Sequence, residues 1–561
     1  MGLFKKILPW VIVLVLTLPI IWPLFHNGYF PMHEDTQPTR VFEMAKALKD
    51  GQFPVRWVSD LGYGFGYPIF NFYAPLPYYF GALWIVIEIS ALTATKMMFG
   101  MGIILSGLTM YLLAKKLWGI MGGIVSAVFY LYAPYHAVQI YVRGAVGEYW
   151  AYGFLPLIFL GILETKNKLY SGLIIGSIGF AGVILSHNIS AIIAAGFLFL
   201  WIIFELIKLI TKSKNNNFLY SILTVFVLGL GISAFFWLPA LTESKYTQVS
   251  SLQTGTNNYR EHFVYIDQLW NWPWGYGGSA SERADGMSFK IGKLSLILGL
   301  VVFIGFFAKS LMRKKIISLR VILFLAAFLL TVFMMLPVSL VVWEIIPFAG
   351  YVQYPWRFLV FSLFFISCLC GGIFFIINQF IHIKYFRKGT ILFLIIATVF
   401  LNVKYFQPQN FNFKNDKDYT DDKKIKWDIS KISDEYLPRY FPKPQTIEDI
   451  ALKNYSLTDD IIVKQSEFKS NFAKIDVSSV NQGQVVFNRA YFPGWYVVLD
   501  QQQVKPEILN GIIKVSVPNG EHQITLYFDN TSVRFWGNVI SIISMAVIFF
   551  FCMRINKEKF S

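Results

Sequence analysis

Apolar runs of membrane-spanning length recur along the chain, separated by short polar loops. A helix needs about 20 mainly apolar residues to cross a bilayer. The hydropathy predicts a first span from Ile7 to Phe25. Further spans follow near 95–114, 120–138, 150–163, 170–186, 190–210, 218–238, 293–310, 318–337, 355–378, 389–403 and 534–553. The pattern predicts a mainly α-helical polytopic membrane protein with about 12 transmembrane helices.

One stretch decides the topology. Residues 75–90 (PLPYYFGALWIVIEIS) are apolar but short, open with Pro-x-Pro and contain Glu88. If they cross, every later loop changes side. If they lie at the interface or re-enter, the basic loops fall on one side: Lys5/Lys6, Lys115/Lys116, Lys166/Lys168, Lys208/Lys212/Lys214, Arg313/Lys314/Lys315, Lys384/Arg387/Lys388 and Arg554/Lys557/Lys559. Basic loops mark the cytoplasm. The expected topology therefore has an interfacial helix in the first outer loop and both termini in the cytoplasm.

Composition agrees. The chain has 561 residues, 55% hydrophobic and 15% charged, with mean hydropathy +0.51. The net charge of +16 is accounted for by these loops. No basic stripe or stacking platform points to nucleic acid. The three cysteines, Cys368, Cys370 and Cys552, form neither a disulfide framework nor a metal pattern. The first apolar run lacks a small-residue cleavage site and reads as a retained span.

The first outer loop spans 26–94, and the fold divides into a transmembrane region 1–403, an extracytoplasmic segment 404–532 and a final span with its tail, 533–561. The segment 404–532 begins charged (KNDKDYTDDKKIKWD) and then alternates. Ile513, Val515 and Val517, then Ile524, Leu526 and Phe528, point one way, with Pro518-Asn519-Gly520 as a turn between them. This predicts a β-sandwich-like domain.

Polar residues gather on the outer face, where burial near lipid depth is costly. His33-Glu34-Asp35 opens the loop, ahead of a predicted amphipathic helix (Thr36–Lys49) with Val41, Met44, Ala45 and Leu48 on one side. Asp35 either caps that helix or serves as a base or cation ligand. Arg40 and Trp57 follow. Arg143 and Glu148 share a short loop and form either an ion pair sealing it or a site joined to Asp35. His187-Asn188 ends a span. Tyr354 and Arg357 open another, where Arg357 either anchors at the interface or pairs with phosphate. Arg260, His262, Asp267 and Arg283 are weaker candidates.

The arrangement resembles the GT-C class of membrane glycosyltransferases, which includes oligosaccharyltransferases, protein mannosyltransferases and aminoarabinose transferases. The run Ala114-Lys115-Lys116-Leu117-Trp118-Gly119 is similar to their basic turn. A closer resemblance is to the bacterial membrane family named for 6-pyruvoyl-tetrahydropterin synthase. It is carried by Asp35 with Arg40, Gly51-x-x-Pro54-x-Arg56-Trp57, Gly66-Tyr67-Pro68, Phe72-Tyr73-x-Pro75-Leu76, Arg143-Gly144 with Glu148, and Glu435-Tyr436-Leu437-Pro438. Tyr491-Phe492-Pro493-Gly494-Trp495 is similar to a turn in bacterial membrane proteins that glycosylate cell-wall polymers. The pterin name implies no pterin chemistry here.

The class resemblance implies a GT-C-like fold and an inverting sugar transfer at the bacterial plasma membrane. The donor is a polyprenyl-phosphate sugar, and the acceptor an envelope glycan, lipid or protein. It implies Asp35 as general base, with Glu34 and Glu148 as further acidic residues. Arg143 and Arg357 stabilise the leaving phosphate, and Arg40, His187, Asn188, Tyr354 and Trp57 complete the substrate site. The resemblance implies either Mg or Mn on Asp35, Glu148 and His187, whose carboxylates and imidazole suit such ions, or no metal, as in some members of the class. The rival readings are a flippase of lipid-linked glycans and a non-catalytic assembly protein. A flippase predicts mid-span charges and paired, broken halves.

Overall fold

A computed structural model describes residues 2–212, 217–249, 258–312, 318–346, 349–380, 383–458 and 461–558. The apolar runs form a helical bundle. Among the described residues, nine helices are long and apolar enough to cross a membrane, or eleven if each of two bent pairs is one span. The bent pairs are Asn217–Ile232 with Ala234–Tyr246, at 70°, and Leu319–Met335 with Pro337–Ile345, at 89°. The longest helical stretch, Ala91–Leu131, is not a single rod. Gly119 leaves the helical conformation (φ 78°, ψ −179°), and a Cβ on Gly107 would touch Leu131 while one on Gly123 would touch the Lys115 backbone. The chain therefore folds back at Gly119 into two antiparallel arms. A left-handed φ is what glycine alone adopts cheaply. With the arms counted separately, the crossings number about twelve, as the hydropathy predicts.

Leu76–Val86 is an apolar helix of 11 residues, about 16 Å long at 1.5 Å per residue, which is half of a hydrocarbon core. Contacts gather the basic loops at one end of the bundle. Lys116 pairs with Glu164 at 2.6 Å, the Lys166 ammonium lies over Phe218, and Tyr170 meets Phe551.

The opposite end carries the sheet domain. Among the described residues nine strands form two antiparallel sheets. In chain order they are β1 (Tyr455–Leu457), β2 (Ile461–Lys469), β3 (Phe472–Ser479), β4 (Gly483–Ala490), β5 (Trp495–Leu499), β6 (Gln502–Val504), β7 (Glu507–Leu509), β8 (Ile512–Val517) and β9 (Gly520–Phe528). One sheet has the order β1-β4-β8-β7 and the other β2-β3-β9-β5-β6. The two strands flanking the Pro518-Asn519 turn thus belong to different sheets. Their alternate apolar residues, Ile513, Val515 and Val517 against Ile524 and Leu526, are buried in the space between.

The first outer loop is not a separate layer under this domain. It shares one hydrophobic core with it. The Ala490 N–H donates to the Phe65 carbonyl at 2.7 Å, and the Ala451 N–H to that of Tyr63 at 3.0 Å. Tyr29 and Asn412 exchange both backbone bonds. The helix Gln37–Lys49 buries Val41, Met44 and Ala45 as its spacing predicts, yet Thr39, Arg40 and Glu43 on its polar side are buried too. It is a covered helix, because residues 404–450 and the sheets close over it.

Candidate active site at the sheet-domain end

The chain reverses between two spans through a π-helical turn, Val138–Val142, followed by Arg143. Glu148 lies in the first turn of the helix Val146–Glu164, where the helix dipole favours an anion. Arg143 donates from Nη1 to Glu148 Oε2 at 3.0 Å and to the Tyr135 hydroxyl at 3.0 Å. Glu148 Oε1 accepts from the Tyr135 hydroxyl and from Gln139 Nε2, each at 2.9 Å. Glu148 is therefore a saturated buried anion. Tyr135 and Gln139 are site residues that sequence reading misses, since a Tyr and a Gln in an aromatic helix end carry no signal.

The Arg143 guanidinium lies over the Trp356 ring at 4.6 Å, and that of Arg357 lies 5.9 Å from the same ring. One indole thus serves two cations. Arg357 is half-buried, donates from Nη1 to the Val352 carbonyl at 3.2 Å and makes no ion pair among the described residues. Its Nε is buried without a partner. Tyr354 stacks on Trp356 at 4.9 Å.

His187 ends the preceding span. Its Nδ1 accepts from the Ser190 N–H at 3.2 Å. Burial, then the charge of Arg357, pushes its pKa down to about 3, so it is neutral at physiological pH. Asn188 donates from Nδ2 to the Phe72 carbonyl at 2.9 Å, which ties the span to the first outer loop, and its Oδ1 is buried without a partner.

The first outer loop reaches this cluster through Glu34. The Glu34 N–H donates to the Arg143 carbonyl at 3.0 Å, and the His33 N–H to that of Val142 at 3.1 Å. Glu34 Oε2 accepts from the Tyr73 hydroxyl at 2.9 Å and from Gln37 Nε2 at 3.3 Å. Gln37 also holds the Gly144 carbonyl at 2.8 Å. Beyond Tyr73, Arg40 donates to Ser433 at 2.8 Å and to Glu435 at 3.3 Å. Burial, with Asp434 and Glu34 nearby, lifts Glu435 above the usual carboxylate range. Glu34, Tyr73, His187, Arg357, Glu435 and Tyr436 are all half-buried, a polar wall in front of the Arg143–Glu148 pair.

The structure departs from expectation at Asp35, Trp57, Arg40 and the metal triad. Asp35 turns away from this wall. It pairs with Lys414 at 2.5 Å and accepts from the Tyr419 hydroxyl at 2.7 Å, because the turn at residues 33–36 sends the two neighbouring carboxylates to different partners. It does not cap the next helix either, whose N-cap is Thr36. Trp57 cannot meet a substrate: it is wholly buried and packs edge-on against Trp495 at 5.3 Å, with Phe528 at the same distance. Arg40 is buried as well and braces the wall from behind. Asp35, Glu148 and His187 do not converge as a metal triad. Among the described residues no three acidic, His or Cys side chains form a metal-holding group, and the Glu148 oxygens are already taken by Arg143, Tyr135 and Gln139.

No protein-family model matches the chain. A Lactococcus lactis subsp. cremoris (strain MG1363) protein of uncharacterized function is 26% identical over 244 residues, 42% of this chain. The chain spans only 40% of that relative's length. Among solved structures, the apo Archaeoglobus fulgidus oligosaccharyltransferase is similar over 81% of this chain and 62% of its own, at 12% identity and TM-score 0.48. Mycobacterial arabinofuranosyltransferase AftD is similar over 73% of this chain and 27% of its own, at 12% identity and TM-score 0.44. Both TM-scores lie below 0.5, and the functional assignment rests on this chain's own residues.

Proposed function

We propose that this chain is an inverting membrane glycosyltransferase of the bacterial plasma membrane, with cytoplasmic termini and its site on the extracytoplasmic face. It transfers a sugar from a polyprenyl-phosphate donor to an envelope glycan, lipid or protein acceptor. The supporting observation, at the end of an apolar bundle, is the half-buried carboxylate of Glu34 joined to the Arg143 loop, whose guanidinium shares the Trp356 ring with Arg357, a cation with no ion pair among the described residues. A lipid-linked phosphate lies at that depth with its chain among the helices.

In this reaction the acceptor hydroxyl oxygen attacks the anomeric carbon as the carbon–oxygen bond to phosphate breaks. Glu34 takes the acceptor's proton. The polyprenyl phosphate leaves with the electron pair, and Arg357 stabilises the charge it gains. Tyr73 and Gln37 hold Glu34 in place, and the saturated Arg143–Glu148 pair fixes the Trp356 ring beneath Arg357.

The test is sugar transfer by purified protein in nanodiscs, supplied with a panel of labelled polyprenyl-phosphate sugars. Transfer by the wild type that is lost in a folded Glu34→Gln variant supports the assignment. Equal transfer by both removes Glu34 as base. No transfer by the wild type across the panel favours the flippase reading.

A further inference from the structure

A second feature at the same end is an open cleft of about 510 Å³ between the Asn271–Trp274 loop and the Lys404–Gln407 turn. Its size falls in the range of small-ligand pockets. Trp274 stacks on Tyr405 at 4.7 Å and 30°, and Trp272 lies beside them on the wall. The Trp274 indole N–H is buried without a partner. Two ammonium groups frame the rings. Lys290 lies over Tyr405 at 4.6 Å and Lys404 at 5.3 Å. Among the described residues no carboxylate lines the cleft. Lys290 is only 9% exposed, and among the described residues its ammonium hydrogen-bonds to the Tyr405 hydroxyl at 3.1 Å and forms no ion pair.

A nearly buried cation without a counter-charge is costly, and an anion in the cleft would offset that cost. The aromatic faces, negative at their centres, suit the ring C–H groups of a sugar. Asn271 and Gln407 add amide donors and acceptors for hydroxyls. We propose that this cleft binds an anionic saccharide, a sugar unit bearing phosphate or carboxylate. The cleft is linked to the proposed base: His33 Nε2 lies 3.0 Å from the Tyr276 carbonyl, two residues beyond Trp274 and one before Glu34. Resting on the transferase reading, the bound saccharide is the acceptor. An acidic lipid headgroup offers the same anion without the sugar.

Binding without turnover tests the site, so it stands or falls apart from the transferase reading. The full-length protein is placed in zwitterionic nanodiscs and titrated with a soluble phosphorylated oligosaccharide and its uncharged counterpart. The phosphorylated compound is expected to bind at least about tenfold more tightly, with affinity falling as salt rises. A Lys290→Gln/Lys404→Gln variant is expected to lose that preference, Trp272→Ala to weaken both compounds, and Glu34→Gln to bind as wild type. Equal binding of the two compounds, or a preference unchanged in the double lysine variant, overturns the proposal. So does absence of saccharide binding in zwitterionic nanodiscs when the wild type, but not the double lysine variant, binds phosphatidylglycerol, which marks a headgroup site.

Discussion

Glu34 and Asp35 are adjacent, yet their carboxylates bond to opposite halves of the protein. Glu34 accepts from Tyr73 and Gln37 beside the Arg143 loop, whereas Asp35 accepts from Lys414 and Tyr419 of the C-terminal segment. The two acids therefore separate a chemical role from a fastening role. Glu34→Gln is expected to lower kcat by about 10²- to 10⁴-fold, the usual range for a general base, with the melting midpoint little changed. Asp35→Asn is expected to do the reverse: a lower midpoint with kcat within about tenfold of wild type. Steady-state rates and thermal unfolding on the same two preparations separate them.

Arg357 carries the charge that faces the leaving group in the proposed reaction. Arg357→Gln is expected to reduce kcat by about 10²-fold, and Arg357→Lys to restore only part of it, since an ammonium lacks the planar fork. Donor titrations of the three proteins check this, and equal kcat in all of them removes Arg357 from the mechanism.

The buried Arg143–Glu148 pair behaves as a unit. Breaking it from one side leaves an uncompensated charge, at about 3–5 kcal/mol. Arg143→Gln and Glu148→Gln are each expected to destabilise by that order, and the double variant by clearly less than their sum. A double-mutant cycle on unfolding midpoints reads the difference.

Glu43 supplies a pH signature. Burial, then the neighbouring Asp60, raises its pKa well above the ordinary value. Its Oε1 has no partner, while Lys46 pairs with Asp60. A carboxyl whose folded pKa is raised contributes its full stability below the ordinary carboxylate pKa, about 4.3, and loses it as pH rises through the folded value. Glu43→Gln is expected to melt increasingly above wild type as pH rises from 5 to 9. A gap that stays constant across that range contradicts the assignment.

Topology is read by labelling. With the exposed Cys552 first replaced, a cysteine at Lys443 is expected to react with an impermeant maleimide from outside intact cells, and one at Lys166 only after lysis. Outside reaction at Lys166 reverses the orientation.

Much of the architecture is legible in the residues because lipid imposes it. Apolar runs locate the spans, and basic loops at Lys116 and Lys166 gather at one end as their charge predicts. The Ile513–Val517 alternation locates a strand, although only the structure shows that the strand beyond the turn joins the other sheet. The site is less legible. The sequence reading takes Asp35 as the base, and only the different partners that the turn at residues 33–36 gives the two carboxylates favour Glu34 instead. Trp57 looks like an interfacial aromatic until the sheet domain, folded from residues more than 400 positions later, buries it against Trp495. Tyr135 and Gln139 become partners of Glu148 through a π-helical turn that no spacing rule indicates.

Glu243 accepts from Asn71 at 2.7 Å through the same oxygen that receives Arg534 Nε at 2.9 Å, and Asn71 in turn receives Arg56 at 3.0 Å. Arg534 belongs to the last span, and residues 56–71 belong to the loop that is synthesised first. The loop therefore gains its final fastening only when the last helix has left the ribosome and entered the bilayer. Until then the membrane holds an inserted but unfinished protein, and a chain halted before residue 534 has its helices in place and its mouth unlatched.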